Sequence, residues 1–243
     1  MHLDTTGKTG KDSIFYIKIS TGCLGNCSYC AVKKSRGNIK SKSIDEVMAE
    51  FKAGLNLGYK EFFLLGTDLG PYGRDLGYTL PDLLNRMVSE EGDFKIGLRN
   101  IHPLFLKQMI DDLVSAFATG KIWFTGAAVE SGSDRILGLM RRGYSVDDFK
   151  EGTRRLKKAN PDLFISTQIM VNFPTETAQD FAASMNLFED ADFDYAEIYS
   201  FSPRPGTVAA DMKGRVPGSF AYFRELRMAT KALSHALSNR LFD

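Results

Sequence analysis

The sequence predicts an α/β fold, a partial (β/α)6 TIM-like barrel whose six strand–helix units splay open instead of closing. Three observations lead there. Short apolar, β-rich segments alternate with amphipathic helical stretches along the chain. The connections between them are short, as a parallel sheet with crossover helices requires. The loops that leave the C-terminal strand ends carry most of the residues with chemistry to offer, which is where βα barrels keep their sites.

Ile14–Ile19 reads as the first strand and feeds a loop, Gly22–Ser43, that holds every cysteine of the chain. Ser43 and Glu46 form a capping box, behind which Ile44, Val47, Met48, Phe51 and Leu55 recur at helical spacing until Gly58. Glu61–Leu65 is a short apolar strand with Gly66, Thr67 and Asp68 at its exit. Leu80, Leu83, Leu84, Met87 and Val88 mark the next helix. Phe94–Arg99 and Ile122–Ala128 are strands on either side of a helix over Leu104–Phe117. Helical stretches follow at Asp134–Met140 and from Ser145, where Asp148 completes a cap. Leu163–Val171 and Tyr195–Phe201 are the last strands, Thr177–Asp190 the helix between them, and Phe220 to about Arg240 the final helix.

A chain of 243 residues, 43% hydrophobic and 25% charged, suits one large domain. The expected division is a flexible leader over 1–12 and a core domain over 13–243. A net charge of +1 excludes a globally basic nucleic-acid binder and leaves local patches open. No apolar run reaches the ~18–20 residues of a membrane span. The opening MHLDTTGKTGKDS is too polar for a signal peptide. Three clustered thiols without partners fit a reducing cytosol, so a cytoplasmic protein away from membranes is expected.

The cysteine loop carries the chemistry. Cys23, Cys27 and Cys30 are spaced C-x3-C-x2-C, and Tyr29 directly precedes the third. Structural zinc wants four closed ligands. There is no fourth cysteine, and the three histidines, His2, His102 and His235, lie far off in sequence. A cubane [4Fe–4S] cluster takes one ligand per iron, so three thiolates would leave one iron open. Zinc completed by a remote ligand, or three ordinary thiols, are the alternatives that spacing alone leaves open.

The stretches GCLGNCSYCAVKKSRG, GTDLGPYGRDLGYTLPDLL, VESGSDRILGLMRRGYS, ISTQIMVNFPTET and YSFSPRPGT extend the argument. Together they resemble the methylthiotransferases of the radical S-adenosylmethionine (SAM) superfamily. Their wording is most similar to the archaeal and eukaryotic group acting on threonylcarbamoyladenosine in tRNA, and the likeness runs from about Ile14 to Arg240. It implies a radical SAM core in which Cys23, Cys27 and Cys30 hold a [4Fe–4S] cluster and SAM chelates the fourth iron. Reductive cleavage of SAM to a 5′-deoxyadenosyl radical would follow, with an external electron donor of flavodoxin or ferredoxin type.

The resemblance also implies roles for other residues. Backbone at Tyr29 would meet the adenine. Gly66, Thr67 and Asp68 would receive the SAM amino group, Glu130 and Ser131 would lie near the ribose and carboxylate, and Arg142 would pair with that carboxylate. Val171, Asn172, Phe173 and Pro174, with the turn carrying Ser202, Gly206 and Thr207, would close over adenine or substrate. Three departures stand out. Complete methylthiotransferases carry an N-terminal domain with three further cysteines, and this chain has none to spare. They also carry a C-terminal β-barrel that helps bind tRNA, whereas this sequence stops at Asp243. Glu130, Gln168 and Asn172 replace the usual Gln, Asp and Gly. Three readings therefore stand: a methylthiotransferase-like core acting on tRNA adenosine, its sulfur-cluster and RNA-binding parts supplied by a second chain carrying an auxiliary cluster or lying outside this sequence; a stand-alone radical SAM enzyme modifying a peptide or small metabolite without sulfur insertion; or a non-catalytic iron–sulfur module.

Other candidates are weaker. Lys33, Lys34, Arg36, Lys40 and Lys42 form a basic run that fits either phosphate steering or a solvated loop. Tyr72, Arg74 and Asp75 fit a turn as well as a substrate contact. His102 beside Pro103 reads as a structural loop histidine, and Trp123 as core.

Overall fold

The computed structural model describes residues 14–239; the leader expected over 1–12 lies outside the described residues. In chain order the elements are β1 (Ile14–Lys18), β2 (Ser20–Thr21), α1 (Val32–Arg36), β3 (Lys40–Ser41), α2 (Ile44–Asn56), β4 (Glu61–Leu65), α3 (Leu80–Val88) and β5 (Lys95–Leu98). They continue with α4 (Pro103–Phe117), β6 (Ile122–Gly126), α5 (Asp134–Met140), α6 (Val146–Ala159), β7 (Phe164–Val171), α7 (Ala178–Asp190), β8 (Tyr195–Ser200), a 3-10 turn (Val208–Asp211) and α8 (Gly218–Ser238).

Six strands form one sheet in the order β1-β4-β5-β6-β7-β8, and every pairing is parallel. This is the open α/β barrel that the alternation of patterns predicts, with all six strands where the sequence puts them. Because side chains alternate across a strand, the sheet has two faces. Phe15, Ile17, Phe62, Leu64, Ile96, Ile165 and Ile169 point outward beneath the helices and are buried. The inner face carries a row of registered positions across five strands, Tyr16–Phe63–Gly97–Phe124–Phe164.

The row works because Gly97 has no side chain. A Cβ there would stand 2.6 Å from the Phe63 ring, and its absence lets Phe63 reach Phe124 at 5.4 Å between centroids. Phe124 then stacks on Phe164 at 5.7 Å. Trp123, expected in the core, instead lies edge-on to Phe63 on this partly exposed inner side, because a register shift at Ile96/Gly97 turns β6. Further along the same face Gln168 donates to Glu197 at 2.9 Å.

The helices start where capping chemistry predicts. Ser43/Glu46 and Ser145/Asp148 close capping boxes on α2 and α6, and Thr79/Asp82 and Thr177/Asp180 do the same on α3 and α7. The final helix begins two residues before Phe220. Its entry is fixed by Arg224, which pairs with the buried Glu176 carboxylate at 2.9 Å, and by Asn172, whose amide donates to Ala221 O at 3.1 Å and Ser200 Oγ at 2.9 Å. Among the described residues no helix is long and apolar enough to cross a membrane.

Candidate functional site

β1 hands the chain to the cysteine loop at the C-terminal edge of the sheet. The loop is pinched at its base by the antiparallel β2–β3 pair and by Gly22. Gly22 has a positive φ of 75°, and a Cβ there would lie 2.0 Å from Asn38 O, so no other residue fits the neck. The loop is tied to the rest of the molecule through Ser28. Its N–H donates to Met140 O at 3.0 Å and its hydroxyl to Leu139 O at 2.8 Å, while its carbonyl accepts from Ala209 N at 2.8 Å.

The thiols of Cys23, Cys27 and Cys30 line one cavity of 200 Å³, walled by α1, Arg141 and the Gly206–Val208 turn. The cradle is close at Gly25, where a Cβ would stand 3.2 Å from Cys23 Sγ and 3.8 Å from Cys27 Sγ. Backbone N–H groups already point at two sulfurs, Gly25 to Cys23 at 3.1 Å and Val32 to Cys30 at 3.5 Å. Burial raises the Cys23 and Cys27 thiols above their ordinary range, so they ionise in the fold when a metal takes the proton's place. Among the described residues no three His, Cys, Asp or Glu side chains gather as a single ion requires. Three thiols along one cavity wall are a donor set that could hold a metal group such as a [4Fe–4S] cubane.

Behind Cys27 lies a buried polar knot. Tyr29 donates to Glu130 Oε1 at 2.8 Å, and Arg142 reaches Tyr29 Oη at 3.4 Å and Cys27 Sγ at 3.5 Å. Arg142 is anchored from behind, by Ala128 O at 2.6 Å and Tyr144 Oη at 3.1 Å, while Tyr144 donates to Val129 O at 2.7 Å. Glu130 is held in the left-handed region, at φ 67°, by its ladder bonds to β7. Such a conformation costs a non-glycine residue roughly 1–3 kcal/mol and is concentrated at functional sites. Burial pushes both the Glu130 carboxyl and the Tyr29 phenol upward.

Asp68 follows β4. Its Oδ1 accepts from Gly70 N at 3.0 Å and His102 N at 3.1 Å, and its Oδ2 is buried without a partner. Burial outweighs those donors and lifts the carboxyl to about 6. A buried carboxylate oxygen without a partner calls for a donor that the described residues do not supply. On the inner side of the loop, a second cavity of 470 Å³ is lined by Tyr29, Cys30, Met170, Tyr199 and the Ser200–Ser202 strand exit. Its size suits a nucleoside-scale ligand, and Cys30 stands on the walls of both cavities.

The structure thus brings Tyr29, Glu130 and Arg142 together at Cys27, sets Ser202 on the inner cavity, and puts Gly206 and Thr207 on the cysteine cavity. Gly66 sits tightly against Ser20 and Leu69, and Thr67 accepts from Arg36 at 3.5 Å. Other predicted contacts face elsewhere. Ser131 is fully buried against Ser184, Val171 and Phe173 are core, Pro174 is buried, and Asn172 turns its side chain to α8. Tyr72, Arg74 and Asp75 are structural: Tyr72 is core, Arg74 binds Gln108, and Asp75 accepts from Ser41 N.

Two residues that the sequence undervalues join the knot, Tyr144 and His102. His102 caps α4 through Nδ1 and points Nε2 at Cys27 Sγ, 4.0 Å away. Burial, with the Arg142 charge beside it, lowers its ring to about 3, so it is neutral. The signal that could have found His102 is its place at a strand exit immediately before a helix-starting proline.

The radical SAM superfamily model matches residues 17–188. The chain is 38% identical over 207 residues to a threonylcarbamoyladenosine tRNA methylthiotransferase of Thermotoga maritima, covering 84% of this chain and 47% of that protein. It is 34% identical over 206 residues to a tRNA-2-methylthio-N(6)-dimethylallyladenosine synthase of Aquifex aeolicus, covering 83% and 46%. The chain thus spans about half the length of the curated relatives it matches. Among solved structures, a radical SAM methyltransferase from Kitasatospora setae, with cobalamin and a [4Fe–4S] cluster bound, superimposes with a TM-score of 0.67 at 13% identity, covering 81% of this chain and 38% of that one. That likeness supports the fold.

Proposed function

The chain belongs to the radical SAM superfamily, and from that premise we propose that it is the radical SAM core of a methylthiotransferase acting on adenosine in tRNA, of the threonylcarbamoyladenosine type. In this reading Cys23, Cys27 and Cys30 hold a [4Fe–4S] cluster, and SAM occupies the inner cavity. The observation that carries it is Cys30, shared between the thiol-lined cavity and the nucleoside-sized one. A ligand in the second cavity would adjoin the metal site at Cys30.

When bound, the cluster supplies one electron to SAM and so gives access to hydrogen abstraction from an unactivated carbon. The chain's own residues do the rest. Asp68, whose Oδ2 has no partner among the described residues, would accept from the amino group of the ligand. Tyr29 and the Ser200–Ser202 exit wall the adenine side. Arg142, spent on backbone, phenol and thiol partners, organises the cluster side and offers its charge to a carboxylate without swinging out. The basic residues of α1, Lys33, Lys34 and Arg36, donate to Leu24 O, Gly206 O and Thr67 Oγ1 and would exchange those partners for phosphate. A reductant of flavodoxin or ferredoxin type would supply the electron, and an auxiliary cluster, on a second chain or on a part of the protein outside this sequence, would complete the reaction.

A second reading, a radical SAM enzyme modifying a peptide or small metabolite without sulfur insertion, uses the same cysteine site. Anaerobic incubation of reconstituted protein with SAM, dithionite and tRNA bearing threonylcarbamoyladenosine separates the two. A methylthio nucleoside in the digest supports the first; 5′-deoxyadenosine with unchanged tRNA supports the second.

A further inference from the structure

Among the described residues, Cys27 is the one thiol approached by side-chain donors from distant elements. Cys23 and Cys30 receive N–H groups two residues away in their own loop. Cys27 Sγ is met by Arg142 Nη1 at 3.5 Å, from beyond α5, and by His102 Nε2 at 4.0 Å, from the start of α4.

The imidazole is not free to turn away. Its Nδ1 accepts from Leu104 N at 3.1 Å as the cap of α4, which leaves the ring proton on Nε2, the atom that faces the sulfur. Its ring is held edge-on by Tyr144 at 5.4 Å and Phe105 at 6.1 Å between centroids. Asp68 fixes the His102 backbone from the other side, through its N–H. Sequence separations of 75 and 115 residues converge on one sulfur, which local loop geometry does not require.

We propose that His102 is a positioning residue for the metal site: with Arg142 it donates to the Cys27 sulfur and raises the reduction potential of the cluster bound there. The inference rests on the cluster reading given above. A reduced cluster is more negative than an oxidised one, and its added charge is spread over the sulfurs. Donors and a fixed cation at one sulfur therefore favour the reduced form. His102 does so without a charge of its own, through a single N–H whose direction the α4 cap sets.

The test uses the full chain, reconstituted with iron and sulfide under anaerobic conditions, and a His102→Asn variant. Asn is a strong N-cap residue and retains the acceptor for Leu104 N, but it lacks the Nε2–H. Potentiometric titration with dithionite, followed by EPR of the reduced cluster without SAM, reads the potential directly. At a fixed solution potential, the reduced-to-oxidised ratio of the variant is expected to fall about tenfold, a midpoint about 59 mV more negative for a one-electron couple. Pulsed EPR in H2O and D2O should show one exchangeable proton coupling in the parent that the variant lacks, with iron content and thermal midpoint unchanged. If the variant carries the full cluster with the parental potential and coupling, the inference is overturned while the cluster reading stands. If the parent itself takes up no cluster, both fall. A His102→Leu variant, which also loses the cap, should show the same potential shift with a lower thermal midpoint; a lower midpoint with the parental potential would likewise overturn the inference.

Discussion

With one carboxylate oxygen held by backbone and the other buried without a partner, Asp68 carries a charge that the fold itself disfavours. Its carboxyl stands at about 6 against an ordinary ~3.9. A carboxyl raised in the folded state contributes stability that is fully present below pH ~4 and is lost as pH rises through about 6. The loss amounts to roughly 3 kcal/mol by pH 7, at about 1.4 kcal/mol per unit. In ligand-free protein, Asp68→Asn should remove this fall, so the parent-minus-variant difference in urea unfolding free energy should decline by about that amount between pH 4 and pH 7. The same substitution should weaken SAM binding about ten- to a hundredfold with iron content intact, as loss of a charged hydrogen bond does; equilibrium dialysis checks it. Of the residues at this site, the ones legible in the sequence were those next to a motif: the three cysteines, Tyr29, Asp68, Glu130 and Arg142. His102 and Tyr144 were not, because their meeting at Cys27 depends on where β5 and β6 end relative to one another, and no local pattern encodes that. Ser131, Val171 and Phe173 show the converse, since a motif can fix a backbone path while its side chains serve the core.

The six strands and α2 to α7 could be read from periodicity because each buries an apolar face, and the capping boxes on α2 and α6 from their residue spacing. α1 could not. It has five residues, buries none of them, and exists because the cysteine loop folds back through Gly22 and the β2–β3 pair. Gly22→Ala, which would thrust a methyl group against Asn38 O, should open that neck. The expected result is loss of most iron on reconstitution, with circular dichroism close to the parent, since the sheet and its helices do not depend on the loop. α8 is the opposite case, a helix predicted by its pattern but secured by a buried ion pair that the pattern does not reveal. Arg224 and Glu176 are 15% and 0% exposed, so Arg224→Ala leaves a buried carboxylate unpaired. That should cost about 3–5 kcal/mol, measured by chemical denaturation, and should speed proteolysis at the Ser200–Gly218 connection.

Taken whole, the molecule sets a thiol-lined cavity, a nucleoside-sized cavity and a short basic helix at one end of a parallel sheet, and it does so with a net charge of only +1. Affinity for tRNA, if it comes from this chain, must then come from the local cations. Replacing Lys33 and Arg36 with Gln should weaken binding similarly across sequences and lower the slope of log affinity against log salt by about 1 for each phosphate that is no longer neutralised. The most direct test of the account as a whole is iron and sulfide quantification of the anaerobic, reconstituted chain, with its spectrum recorded before and after SAM is added. About four irons per chain and a spectrum that SAM changes are expected of one cubane held by three thiolates. One zinc per chain, or a full cluster whose spectrum SAM leaves untouched, would contradict it.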